Sequence, residues 1–505
     1  MRKRLTVGLL LSLTVLALVI VPLTDAGKDF RLNRVSELIK ARATVQQPPR
    51  VTGYQYKAVN FATSAPLTEL AKGQETVANP AAVEIKDKEE VIEEKREANS
   101  IPNKTKFQTN GSDLDNAGEH EKNFKNREII RNFDPDVKTA PDAAIATVPT
   151  TKGAGLSALA IPTPSTSFEA ISLTDTTALP GQGFLPPDTV GEIGPNHFVQ
   201  MVNSSFRIYD RAGNPLIPLT SIGTLFSSIP GPCANNIDGD PIVMYDQLAD
   251  RWILSEFCTV ANPNNHQLIA VSKTGDPTGQ YYLYDFMMPN NKFNDYPKFG
   301  VWSDAYYMTD NEFNQAGNQF LGAGVFAFDR TKMLSGDPAA SFVYIDKAEG
   351  CPVCQFGGML PADVDGFTPP PPGSPAPIIQ FDANEFGATD SLRIFDFHVD
   401  FATPANSTLT ERTGSPLAVA AFDPREVPAG SRNVIPQPAT TVKVDAISDR
   451  LLYRLAYRNF GTHESLVMNH TVNVATNPAF RAGVRYYEIR KTSPTGAWTV
   501  QEQGT

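Results

Sequence analysis

Five times along the chain an aspartate near a turn opens an apolar segment that closes on a phenylalanine: Asp188 to Phe206, Asp240 to Phe257, Asp295 to Phe313, Asp365 to Phe381 and Asp445 to Phe460. Successive starts are 52, 55, 70 and 80 residues apart. The usual four-stranded blade repeats every ~40–50 residues, so these spacings fit blades that carry insertions. Each segment holds two strands and a hairpin. Runs rich in Val, Ile, Tyr and Phe that follow (residues 267–272 with 281–287, 324–328 and 392–398) supply the outer strands. Four strands per unit and about five units in a ring is the formula of a β-propeller. The sequence therefore predicts an all-β chain whose residues 166–505 form a propeller of about five to six blades. The last unit runs to Thr505, and the reading expects one further blade beyond it.

Ahead of this region the chain has a different character. Arg2, Lys3 and Arg4 precede an apolar run from Leu5 to Leu23, with the small residue Ala26 at a signal-peptidase position. Residues 1–26 are read as a signal peptide and the remainder as extracytoplasmic. Residues 27–165 are poor in aromatics and include the charge run EIKDKEEVIEEKRE from Glu84 to Glu97, which reads as a tether or pro-region. A formal net charge of -11 argues against nucleic acid and anionic lipid as partners. An extracellular glycan or surface protein is the expected partner, with no membrane contact beyond the signal segment.

Four cysteines fit an oxidising compartment. Cys233 and Cys258 flank a predicted strand pair and are expected to form a disulfide, while Cys351 and Cys354, a C-x-x-C in a Gly/Pro-rich loop, are read as a loop-stapling pair. No second ligand pair stands at zinc spacing.

The stretches PPDTVGEIGPNHFVQMVNSSFRIYDRAG from Pro186, DGDPIVMYDQLADRWILSEF from Asp238, DYPKFGVWSDAYYMT from Asp295 and LLYRLAYRNFGTHESLVMNHTV from Leu451 resemble those of large secreted bacterial proteins with a propeller-type domain and undefined activity. The resemblance covers about 320 residues and implies a fold like that of sialidases and five-bladed glycosidases. The S-x-D-x-G-x-T-W box of sialidases is absent; DQLADRW from Asp246 to Trp252 keeps an aspartate, a turn and a tryptophan.

In a propeller, residues at equivalent strand starts converge on the central channel. Asp188, Asp240, Asp295, Asp365 and Asp445 are thus candidates for acid–base catalysis. Asp240 and Asp295 are also candidates for Ca²⁺ coordination. A local alternative is that each carboxylate caps the turn before its strand. A second group, Arg454, Arg458, His463, Glu464 and His470, lies in one short stretch. His463 and Arg458 are ligand-binding candidates there, and Glu464 a further catalytic candidate; HESLVMNH does not have the His-Glu-x-x-His spacing of a zinc protease. Trp252, Trp302 and Trp498 read as blade-packing residues. With no nucleophile elbow, phosphate cradle or Cys/His signature, the expected role is an extracellular carbohydrate-binding or surface-interaction module. A glycoside hydrolase using channel-facing aspartates is the alternative.

Overall fold

The computed structural model describes residues 53–73, 86–87, 142–144, 163–179, 184–236, 238–259, 265–314, 319–348, 356–425, 433–475, 480–492 and 496–505. The expected signal peptide, most of the charge run and the Cys351/Cys354 pair lie outside them. Among the described residues no helix is long and apolar enough to cross a membrane.

The chain is all-β and folds as a β-propeller. Its first blade is Val190–Ile193, His197–Val202, Ser205–Asp210 and Pro215–Ser221, each strand antiparallel to the last. The second is Gly239–Asp246, Arg251–Thr259, Asn265–Ser272 and Tyr281–Met287. The third is Phe293–Val301, Tyr306–Phe313, Phe320–Phe328 and Ser341–Asp346. The fourth is Leu360–Asp365, Ala376–Asp382, Ser391–His398 and Thr408–Glu411. The fifth is Leu452–Asn459, Glu464–Asn473, Ala482–Lys491 and Thr499–Gly504. The first strands of successive blades lie side by side, and those of the fourth and fifth pair in parallel, Ala362 opposite Leu455.

The central blades bury both faces, which is why their strands read as unbroken apolar runs instead of alternating ones. In the second blade Val243, Trp252 and Leu254 pack on Val199, Phe206 and Ile208 of the first. The intervening Ile242, Met244 and Ile253 pack on Phe299, Tyr306 and Met308 of the third. A further cluster runs from Tyr307 and Val325 through Ile378 to Leu455 and Tyr487, joining the third, fourth and fifth blades. The fifth blade alternates more openly, with Val467, Val484 and Tyr486 exposed. The first and fifth blades reach the cluster between the second and third only at its margin, through the partly buried Val190 and Tyr453.

Part of the segment expected to be a tether is instead built into the ring. Tyr54–Lys57 adds a strand to the outer edge of the third blade and Asn60–Thr63 one to the outer edge of the second. Covering an outer strand satisfies its open row of N–H and C=O groups. Asp142 is likewise buried, where it takes the Arg485 guanidinium in a fully enclosed ion pair, and Thr505 N–H donates to the Ala144 carbonyl at 3.1 Å. Cys233 and Cys258 are joined in a disulfide with their Cα atoms 6.0 Å apart.

Candidate functional site

Left-handed residues stand in or ahead of each inner strand: Asp188 (φ 40°) and Gly358 (58°) two residues ahead, Asp240 (46°) second and Tyr296 (54°) fourth within the strand, and Ile447 (42°) five ahead. Glycine and aspartate tolerate that conformation; a tyrosine or isoleucine there stores strain of order 1–3 kcal/mol. The aspartate pattern holds for three blades and fails for two. In the fourth blade Gly358 takes the turn, and Asp365 stands at the end of its inner strand, not the start. In the fifth, Asp445 precedes the turn and accepts the Ile447 N–H at 2.8 Å, a local cap.

Three of the aspartates do converge. Asp240 and Asp295 both accept the backbone N–H of Tyr296, at 3.2 and 2.9 Å. Asn203, from the turn between the second and third strands of the first blade, donates its amide to Asp188 at 2.5 Å, and its side-chain oxygen accepts the Asp240 N–H at 3.1 Å. Lys298 lies among the three carboxylates, its ammonium 3.8 Å from the centre of the Tyr296 ring, and the Arg450 guanidinium lies 4.9 Å from the same ring. Asp188, Asp240, Asp295 and Lys298 are all half-buried. Burial, and then the charge of Asp240, hold the Asp188 carboxyl well above the usual carboxylate range, against the opposing pull of Lys298 and Asn203. Burial pulls the Lys298 ammonium below its usual value, although Asp240, Asp188 and Asp295 all favour its charge. The result is a carboxyl whose neutral form is favoured, set beside two further anchored carboxyl groups and the Lys298 amine.

A second charged layer follows further along the inner strands. Arg454 of the fifth blade donates to Asp363 at 2.7 Å and Asp365 at 2.9 Å, both on the fourth. Glu192 of the first blade feels the Arg454 charge, but burial dominates and pushes its carboxyl up to about 7. Glu192 and Arg454 thus bring charge from the first and fifth blades into one layer.

The other sequence candidates are placed elsewhere. Glu464 is buried, accepting the Tyr457 hydroxyl at 2.8 Å and pairing with Lys491 at 3.1 Å. His470 is enclosed by Phe381, Phe422 and Tyr487. His463 stacks on the half-exposed Phe460 at 4.7 Å, and Arg458 sits over the same ring at 5.1 Å, on the hairpin at the strand-end side of the fifth blade. Trp252, Trp302 and Trp498 are buried between strands. Cys233, His266 and Asp285 lie close enough to share an ion, but the Cys233 sulfur is committed to its disulfide, and His266 and Asp285 pair at 2.5 Å.

Lys298, Tyr296, Asn203, Glu192 and Asp363 were not legible as site residues. The available signal was the parallel between Asp240-Pro241 and Tyr296-Pro297, which aligns Lys298 two residues past the turn on an inner strand.

No protein-family model matches the chain, and no curated protein matches it. Among solved structures it is similar to the alpha-L-arabinanase of Cellvibrio cellulosa, at 11% identity and a TM-score of 0.28 over 62% of this chain and 95% of that one. It is also similar to a protein of Bifidobacterium bifidum s17 assigned as an exo-beta-1,3-galactanase, at 9% identity and a TM-score of 0.27 over 63% and 93%. The propeller assignment rests on this chain's own strand pairing.

Proposed function

We propose that the protein is an extracytoplasmic propeller that binds carbohydrate, as a free glycan or on a cell surface, through the axial cluster of Asp188, Asp240, Asp295 and Lys298. The observation that carries this reading is the convergence of three carboxylates from three successive blades on one ammonium. Fixed carboxyl groups and an amine in a half-buried site suit a polyhydroxylated ligand, whose hydroxyls both donate and accept. Because Asp240 and Asp295 are both tied to the Tyr296 N–H, binding is placed ahead of catalysis. The Cys233–Cys258 disulfide supports an oxidising compartment, as does the signal-like N-terminus.

One observation favours a second reading, glycoside hydrolysis. A carboxyl whose neutral form is favoured by burial and by a neighbouring aspartate resembles a general acid and its partner. In that reaction Asp188 would pass its proton to the glycosidic oxygen as the C–O bond breaks, while a water, giving a proton to Asp240, would form the new C–O bond at the anomeric carbon. Asp240 and Asp295 also offer oxygen donors of the kind Ca²⁺ takes, though Lys298 already supplies a countercharge.

The test is a screen of the full chain on a glycan array and on polysaccharides, with and without EDTA, reading both retention and release of reducing ends. Retention without release is the expected result. Release that disappears in Asp188→Asn establishes the hydrolase, loss of retention in EDTA establishes the ion, and neither retention nor release on any glycan contradicts both carbohydrate readings.

A further inference from the structure

The opposite end of the ring holds a feature that the axial cluster does not use. A cavity of about 620 Å³ opens there, lined by the turn residues Asn196 and His197 of the first blade, Tyr245, Asp250 and Asp276 of the second, and Phe367 of the fourth. Its volume falls in the ~300–1,000 Å³ range of small-molecule sites. Its floor is held open by a close approach of two turns. A Cβ on Gly275 would stand 2.3 Å from the Asp250 carboxylate, which would have to move. Asp250 is itself fixed by the Tyr245 hydroxyl, which donates to it at 2.6 Å, and the Gly275 carbonyl is fixed by the Trp252 indole at 3.1 Å.

The lining is selective in charge. It presents two carboxylates and two aromatic rings, and neither lysine nor arginine lines it. Asp276 is 58% exposed, 3.8 Å from the His197 imidazole, and its other contacts are the Thr278 N–H and hydroxyl at 2.9 and 2.8 Å. Phe367 is 81% exposed and offers its ring face at the cavity mouth. Carboxylates together with aromatic faces favour a cation, through direct attraction and through the ring quadrupoles. A neutral ligand gains only the hydrogen bonds, and an anion is repelled.

We infer that this strand-end cavity is a second binding site, specific for a sugar bearing a free, protonated amine. The ring of such a sugar lies against Phe367, and its ammonium pairs with Asp276 and Asp250. The site is independent of the axial cluster, so it stands or falls on different residues.

The experiment is calorimetric titration of the full chain with a β-1,4-linked glucosamine tetramer and, separately, with its fully N-acetylated counterpart, which has the same ring and no charge. The amine form is expected to bind, and the acetylated form at least about tenfold more weakly. Phe367→Ala and Asp276→Asn, both at exposed positions, are each expected to weaken the amine form at least about tenfold with an unchanged unfolding midpoint. Absence of binding, equal affinity for the two tetramers, or indifference to either cavity substitution would overturn the assignment.

Discussion

Asp240, at the start of the second blade's inner strand, accepts the backbone N–H of Tyr296 in the third blade at 3.2 Å. The acceptor sits on one left-handed turn and the donor on the next. One hydrogen bond therefore couples two blades and aims a carboxylate at the channel. Because Tyr296 also donates to Asp295, the side chains expected to meet a ligand are the same ones that fix the strained turns.

Glu192 makes stability depend on pH. Its ordinary pKa near 4.5 applies to the unfolded chain, and burial raises it to about 7 in the folded one. Between those values the folded chain holds the proton more tightly, so this contribution is complete below about pH 4.5 and is lost as pH rises through about 7. Glu192→Gln is expected to match the wild type near pH 4.5 and to unfold at a higher temperature near pH 8. Thermal unfolding monitored by circular dichroism across that range checks it; a difference between the two proteins that does not change with pH contradicts it.

The Asp142–Arg485 pair tests whether the segment before the ring belongs to the fold. Arg485 is fully buried and also donates to the Ala420 carbonyl at 3.0 Å and the Thr505 hydroxyl at 2.6 Å. Asp142→Ala strands its charge, at a cost of about 3–5 kcal/mol by analogy with other broken buried pairs. Urea unfolding of the variant reads that cost. A loss below about 1 kcal/mol means that residue 142 is not held in the last blade.

Much of the architecture was legible because turn clusters punctuate the strands and because three blades open on Asp188, Asp240 and Asp295. The last two blades were read out of phase. Asp365 ends the inner strand of the fourth blade, and Asp445 caps a turn ahead of that of the fifth. The strands at Tyr54–Lys57 and Asn60–Thr63 were missed for another reason. They are four residues long, with polar residues at Gln55, Lys57, Asn60 and Thr63, and only the outer strands of the blades turn them into strands. Lys298 was overlooked because a lysine in an apolar run reads as an edge residue until neighbouring blades bring Asp188 and Asp240 to it.

The Cys233–Cys258 disulfide closes 25 residues of chain, which in the chain-entropy model is a stabilisation of about 3 kcal/mol. Both residues pack in the cluster between the first two blades. The double change Cys233→Ala with Cys258→Ala is expected to lower the unfolding free energy by at least that amount, measured by denaturant titration. An unchanged midpoint contradicts it.

The most direct test of the axial site is Asp240→Asn, which keeps a side-chain oxygen for the Tyr296 N–H and removes the charge that acts on Asp188 and Lys298. Affinity for the best glycan found on the array is to be measured by calorimetry for wild type and variant at pH 7, alongside their unfolding midpoints. The account predicts at least about a tenfold loss of affinity with the fold intact. Equal affinities with equal midpoints would contradict it and place carbohydrate recognition away from the axis.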